Sequence, residues 1–384
     1  SNHTADTARK TAEGPEVDLT FDDATLEFQK GVRDFRAAHR ASFPTKSYDT
    51  AEGFEQHRLW DKVLFDAGLS VITWPQRYGG RDATLLQWIV YEEEYFRAGA
   101  PGRASANGTS MLAPTLFAHG TEDQLDRILP KMASGEQIWA QAWSEPESGS
   151  DLASLRSTAT KTDGGWRLNG QKIWSSRAVF GERAFGLFRS DPEAQRHKGL
   201  TYFMFDLKAD GVTVRPIAQL GGDTGFGEIF LDDVFVPDED VIGGVHEGWR
   251  AAMSTTSNER GMSLRSPARF LAPAERLVAQ WHENPDPAFT DRVADAWIKA
   301  QAYRLHTFGT VTRVSNGGEL GAESSVTKVF WSDLDVALHQ TALDLRGADG
   351  ELADSVTDGL LFALGGPIYA GTNEIQRNIL AERL

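Results

Sequence analysis

Cysteine is absent from the 384-residue chain. That absence excludes disulfides, cysteine-ligated zinc, iron–sulfur clusters and a thiol nucleophile, and it fits a cytoplasmic protein. Basic residues are in deficit: 39 Lys and Arg stand against 55 Asp and Glu, a formal net charge of −16. An acidic surface repels phosphate backbones and anionic lipid, so neither nucleic acid nor a membrane surface is expected as a partner, although a local basic pocket for a phosphorylated small molecule stays open. No apolar run approaches the ~20 residues that cross a bilayer, and no secretory signal is expected. There is no Gly-x-x-x-x-Gly-Lys-Ser/Thr, and no Gly-x-Gly-x-x-Gly in a strand-to-helix context, so P-loop and Rossmann nucleotide binding are unsupported. The histidines are scattered and form no His-Glu-x-x-His, so no metal site is expected.

What is present has a globular balance, with 40% hydrophobic and 24% charged residues. The length suits about two or three ordinary domains or one composite one. Residues 1–18 read as a polar, flexible tail, and Ser1-Asn2 as a cloning remnant. From 19 to 137 the pattern is helical. Asp22-Asp23 caps a segment with Phe28, Val32 and Phe35 at helical spacing; a second carries Phe54, Trp60 and Leu64 and stops at Gly68; a third runs from about Leu85 to Phe96. Thr121-Glu122-Asp123-Gln124 is a capping-box pattern for a helix ending near Ser134-Gly135.

Residues 138–248 change to short alternating runs. Asp163-Gly164-Gly165 and Asn169-Gly170 flank Trp166-Arg167-Leu168 and predict two tight hairpin turns. Further strands are expected at Thr201–Phe205, Val212–Val214, Ile229–Leu231 and Val234–Val236, the last stopped by Pro237. Gly243-Gly244-Val245-His246-Glu247-Gly248 reads as a linker. From 249 to 384 helices return: Trp249 to about Met262, Pro267–Trp281, Asp291–Val314, Glu323–Leu345, and Asn373 to the end. The expectation is an α+β fold of helical domain, β domain and helical bundle, not alternating βαβ units.

Two segments could carry chemistry. Trp143-Ser144-Glu145-Pro146-Glu147-Ser148-Gly149-Ser150-Asp151 is a small-residue loop rich in hydroxyls and free N–H groups, able to approach a flat polar ring and bond its edge; an ordinary turn has the same composition. Asn169-Gly170-Gln171-Lys172-Ile173-Trp174-Ser175-Ser176 combines a turn, an aromatic and two hydroxyls; Trp174 is either a cover for a ring system or a core residue on a strand.

Taken together, Ser-Glu-Pro-x-x-Gly-Ser-Asp followed by Asn-Gly-x-Lys-x-Trp-Ser-Ser resembles the acyl-CoA dehydrogenase family. Similarity continues in Trp74-Pro75-Gln76-Arg77-Tyr78-Gly79-Gly80, Glu92-Glu93-Glu94, Asp232-Asp233-Val234-Phe235-Val236-Pro237 and Tyr369-Ala370-Gly371-Thr372-Asn373-Glu374-Ile375-Gln376-Arg377-Asn378, in family order over nearly the whole chain. The resemblance implies FAD as cofactor, an acyl-CoA substrate, electron-transferring flavoprotein as electron acceptor, and a homo- or hetero-oligomer. It implies that Trp143 and Ser144 line the flavin, that Ser150 meets both cofactor and CoA, that Trp174, Ser175 and Ser176 pack on and bond the ring, and that Thr372 and Glu374 hold the rest of FAD at a helix start suited to an anionic pyrophosphate.

The family's reaction needs a carboxylate to take the α-proton while the β-hydrogen leaves as hydride to flavin N5. The base that many members carry just before the signature Gly-Thr is replaced here by Ala370, which cannot abstract a proton. The family's second location for the base falls on Glu259, in Ser257-Asn258-Glu259-Arg260-Gly261. Glu259 is the expected base; Ser257, Arg260 and Gly371 join Ser150 as expected substrate contacts, Arg260 as a phosphate ligand or orienter. A salt-bridged surface glutamate is the competing reading. The family's Arg-x-x-Phe-Gly stretch has no convincing copy between Ala268 and Val326; His306-Thr307-Phe308-Gly309 is a poor match. Ala370 therefore also admits a non-catalytic or complementing subunit of a heteromeric enzyme, and the fold admits a flavin monooxygenase or an acyl-carrier-protein dehydrogenase.

Overall fold

The computed structural model describes residues 19–260, 266–318, 321 and 323–383, with backbone alone at 257–260 and 323. Helix α1 (Asp23–His39) starts at Asp22, whose carboxylate accepts from the Thr25 amide at 2.8 Å. Helix α2 (Ala51–Asp66) ends in a left-handed Gly68, φ 67°, which lets the Leu69 amide reach back to the Leu64 carbonyl. Helix α3 (Leu85–Arg97) opens on a Thr84–Gln87 capping box and buries Glu92, Glu93 and Glu94. Each of these carboxylates meets a guanidinium: Glu92 meets Arg103, Glu93 meets Arg304, and Glu94 meets Arg33 and Arg36. The acidic triplet therefore ties α3 to α1 and to the distant C-terminal bundle. A π-helical turn (Gly108–Leu112) leads into α4 (Ala113–His119), and the predicted capping box at Thr121 opens α5 (Glu122–Ala133).

The strands are β1 (Trp139–Ala142), β2 (Thr158–Thr162), β3 (Gly165–Ser176), β4 (Arg183–Arg189), β5 (Leu200–Asp206), β6 (Val212–Ile217), β7 (Phe226–Pro237) and β8 (Val241–Ile242). They form one sheet in the order β6-β7-β3-β2-β4-β5-β8, with β1 pairing β4 in parallel. Asp163-Gly164 is a hairpin turn between β2 and β3, as predicted. Asn169-Gly170 is not a turn. It lies inside β3 at a register shift against β7, with Gly170 at φ 143°. A Cβ there would meet Ser157 Oγ at 2.2 Å, so the glycine answers a close approach, while the Asn169 side chain accepts from the Asp233 amide at 2.9 Å. The two predicted runs at 229–231 and 234–236 are likewise one strand, β7, bent at Asp233, φ 54°.

Five expected C-terminal helices are found: α6 (Gly248–Arg260), α7 (Ala268–Glu283), α8 (Thr290–Ser315), α9 (Glu323–Asp344), and α11 (Asn373–Arg383) after α10 (Ser355–Ala363). Periodicity alone does not reveal α10, a nine-residue helix capped by Asp354 and too short to show a repeat. The expected copy-poor stretch His306–Gly309 lies in mid-α8. One core fills the space between the sheet and α4, α5 and α6, and includes Trp139, Trp143, Phe185 and Tyr202. A separate core, around Phe270, Tyr303 and Trp331, holds the C-terminal bundle. Among the described residues no helix is long and apolar enough to cross a membrane.

Candidate active site

The end of β3 departs from regular strand geometry. Between Lys172 and Ser175 the register with β7 slips, and Trp174 takes φ 59°. A left-handed tryptophan costs about 1–2 kcal/mol of backbone strain. The strain turns its indole outward: Trp174 is 57% exposed and meets only the edge of Phe226, ring centroids 5.9 Å apart. The next residue, Ser175, is fully buried, and its hydroxyl has no hydrogen-bond partner among the described residues. Ser176 is half-buried, and its carbonyl accepts from the Asn107 side-chain Nδ2 at 3.5 Å. An exposed aromatic held in place by a strained backbone, next to the half-buried Ser176, offers a planar ligand a face to cover and a hydroxyl to bond. These residues fit a flavin ring.

The first expected segment lies alongside. The Ile173 amide donates to the Ser144 carbonyl at 2.8 Å. Lys172 is completely buried, and its ammonium donates to Glu145 at 2.8 Å, to the Leu187 carbonyl at 2.8 Å and to the Trp143 carbonyl at 3.4 Å. Glu145 also accepts from the Arg156 and Ser157 amides at 2.6 and 3.0 Å. Burial works against the Glu145 charge, but the Lys172 ammonium and these N–H donors outweigh it and hold the carboxyl below its ordinary value. Burial likewise pulls the Lys172 ammonium below its usual range, against the pull of Glu145. Glu145 and Lys172 thus fasten the 143–151 loop to the strand that presents Trp174. Both stand in the two motifs without an expected role there; a lone lysine inside an otherwise half-apolar strand is their signal in the sequence.

Trp143 leads to the helix that carries Glu259. Its indole donates to the Tyr202 hydroxyl at 3.1 Å. Tyr202 meets Thr255 at 3.2 Å, and Thr255 meets Thr115 at 2.7 Å, all buried. This chain of hydroxyls joins the end of β1, β5, α4 and α6, and it fixes the rotation of α6 one turn before Glu259. No reading of the sequence alone pairs these residues, since they are separated by 53 to 140 positions.

Ser150 is exposed in the loop after Trp143. Thr372 and Glu374 stand at the start of α11, which packs on α9; the Thr372 hydroxyl caps the Ile375 amide at 3.2 Å, and the adjoining backbone and Thr372 hold Glu374 below its ordinary pKa. Ala370 and Gly371 precede them, both left-handed at φ 58° and 79°. The side chains of Ser257, Glu259 and Arg260 lie outside the described residues; the backbone places all three in the last turn of α6. A further polar group, not anticipated, follows Ser176: the Arg177 guanidinium lies 3.9 Å over the Tyr48 ring and 3.5 Å from Asp49.

Helices, one sheet and helices, in that order, make an α+β architecture of acyl-CoA dehydrogenase type. Comparison with known proteins agrees. The family models for the acyl-CoA dehydrogenase N-terminal, middle and C-terminal domains match residues 22–136, 140–234 and 246–384. The chain is 37% identical over 342 residues to the acyl-CoA dehydrogenase IpdE1 of Mycobacterium tuberculosis, covering 87% of this chain and 88% of that protein. It is 35% identical to the protein of the same name from Mycolicibacterium smegmatis, covering 92% and 93%. A solved structure described as the Tcur3481–Tcur3483 steroid ACAD superposes with a TM-score of 0.84 at 27% identity, covering 95% of this chain and 97% of that one. The chain belongs to the acyl-CoA dehydrogenase family, whose members are FAD-dependent oxidoreductases.

Proposed function

We propose that this chain converts an acyl-CoA thioester to the 2,3-enoyl-CoA, with Glu259 as the base that takes the α-proton. FAD, when bound, supplies the acceptor for the β-hydride. The observation that carries the reading is the pairing of an alanine at 370 with a glutamate in the last turn of α6, a helix keyed to Trp143 through Tyr202 and Thr255. Trp143, Ser144, Trp174, Ser175 and Ser176 would hold the ring, with Thr372 and Glu374 toward the rest of the cofactor and Ser150, Ser257, Arg260 and Gly371 toward substrate. A carboxylate in a site that excludes water has its pKa raised toward that of the weakly acidic α-carbon, which is what a base for this proton needs. Electron-transferring flavoprotein is the proposed acceptor. Glu259→Gln is expected to keep FAD bound while slowing anaerobic flavin bleaching by an acyl-CoA at least a hundredfold; unchanged bleaching overturns the assignment.

Ala370 favours a second reading, a subunit that works only beside a sister chain. The two names in the description of the steroid ACAD structure point the same way. Expressed alone, a yellow protein that an acyl-CoA bleaches supports the first reading. A colourless protein that recovers cofactor and activity with a sister chain supports the second.

A further inference from the structure

One cation beside the candidate site takes no part in the reaction just proposed. Arg269, in the first turn of α7, is half-buried. Among the described residues its guanidinium makes no ion pair; it lies against aromatic rings instead, 5.1 Å from Phe362 and 5.8 Å from Phe270. Burial works against its charge, yet nearby Tyr369, Asp335 and Tyr48 keep its pKa above the usual arginine value. Asp335 is itself engaged, 3.2 Å from His339.

The two tyrosines locate the group. Tyr48 is the ring beneath Arg177, which directly follows Ser176 on the bulged end of β3. Tyr369 directly precedes Ala370 and Gly371 and lies 6.2 Å from Phe362. Arg269 is therefore bracketed by two segments of the candidate site, one from the loop before α2 and one from the loop before α11. The surroundings combine an apolar wall, Phe362 and Phe270, with a fork of N–H donors that, among the described residues, has no carboxylate within ion-pair distance. A half-buried guanidinium that makes no ion pair among those residues keeps its planar fork available, and that fork suits an oxygen acceptor better than a hydrocarbon.

We propose that Arg269 is a specificity residue that binds an oxygen acceptor, a ketone or a carboxylate, carried on the acyl part of the substrate remote from the thioester. Resting on the acyl-CoA reading above, this makes the preferred substrate an oxygenated acyl-CoA rather than a plain fatty one.

The test uses the enzyme with any subunit that copurifies, and three probes of equal chain length: octanoyl-CoA, 7-oxooctanoyl-CoA and 7-carboxyheptanoyl-CoA. Calorimetry gives each Kd, and flavin bleaching gives each rate. At least one oxygenated probe is expected to bind tenfold or more tightly than octanoyl-CoA, and which one identifies the acceptor. Arg269→Met, at unchanged FAD content, is expected to bring that ratio to near one. If Arg269→Met does not fold, Arg269→Lys, which keeps the charge but loses the fork, is expected to lower the ratio at least threefold. Equal binding of all three probes, or a ratio that survives either variant, overturns the proposal. Preferential binding without bleaching overturns the dehydrogenase reading alone and leaves the recognition by Arg269 standing.

Discussion

Replacing Lys172 with methionine should loosen the 143–151 loop more than it loosens the rest of the sheet. Methionine keeps the length and apolar stem of the lysine but removes the ammonium that binds Glu145 and the carbonyls of Leu187 and Trp143. Breaking a buried ion pair from one side costs about 3–5 kcal/mol. Glu145 retains the Arg156 and Ser157 amides, so the lower end applies, about 3 kcal/mol. At 1.4 kcal/mol per decade, that is about a hundredfold rise in the opening constant of the segment. Hydrogen exchange in peptides spanning 143–157 and 166–176 reads it directly, while peptides from the C-terminal bundle serve as the reference. The pH dependence has a definite sign. Glu145 is held low in the folded protein, so its contribution is present above the unfolded carboxyl's value and is lost as pH falls through the folded value. Without the ammonium, only the Arg156 and Ser157 amides oppose burial and the Glu145 pKa rises, so the deficit is larger at pH 7.5 than at pH 4.5. Adding Glu145→Gln to the variant should restore at least about 1 kcal/mol relative to additivity. Unchanged exchange, or strictly additive losses, would refute the pinning role.

Two further outcomes follow from single residues. Trp174→Gly relieves a positive φ and removes a side chain that is 57% exposed, so the cofactor-free protein should melt no lower, and up to a few degrees higher, while FAD affinity falls at least tenfold; a lower apoprotein midpoint would show that Trp174 is a packing residue. Asp61 is buried, one oxygen bonded to the Ser105 amide at 2.8 Å and the other unpartnered, and burial pushes its pKa up from 3.8 to about 6. Its contribution is most favourable below the unfolded value and is lost as pH rises through about 6, a penalty of about 3 kcal/mol at neutral pH. Asp61→Asn should therefore raise the thermal midpoint at pH 7.5 and leave it unchanged near pH 4; a gain that does not vary with pH would contradict this.

The architecture was legible because local signals agreed with the tertiary answer. Asp22 and Thr121 each cap the helix that follows, and Pro237 closes its strand. Where the reading slipped, a non-local contact decided. Asn169-Gly170 has the composition of a hairpin turn, but the glycine serves the approach of Ser157, thirteen residues earlier in the chain, and the strand runs on. The site was legible only through its motifs. Those motifs mark Trp174 and Ser176 as candidates for chemistry, whereas Glu145 and Lys172, equally part of them, hold the loop in place. The hydroxyl chain from Trp143 to Thr115 left no trace in the sequence, since a buried tyrosine and two threonines are compositionally ordinary.

Ala370 has a consequence for how such a site can change hands. Its left-handed backbone, φ 58°, is imposed on any residue there that has a Cβ, so the conformational cost is nearly the same whichever side chain occupies it. The position behaves as a socket. A carboxylate can leave it, or return, without remodelling the turn that delivers Gly371 and Thr372 to the start of α11. Chains built on this scaffold can therefore differ in the chemistry of position 370 by exchanging a single residue, with the backbone around it unchanged.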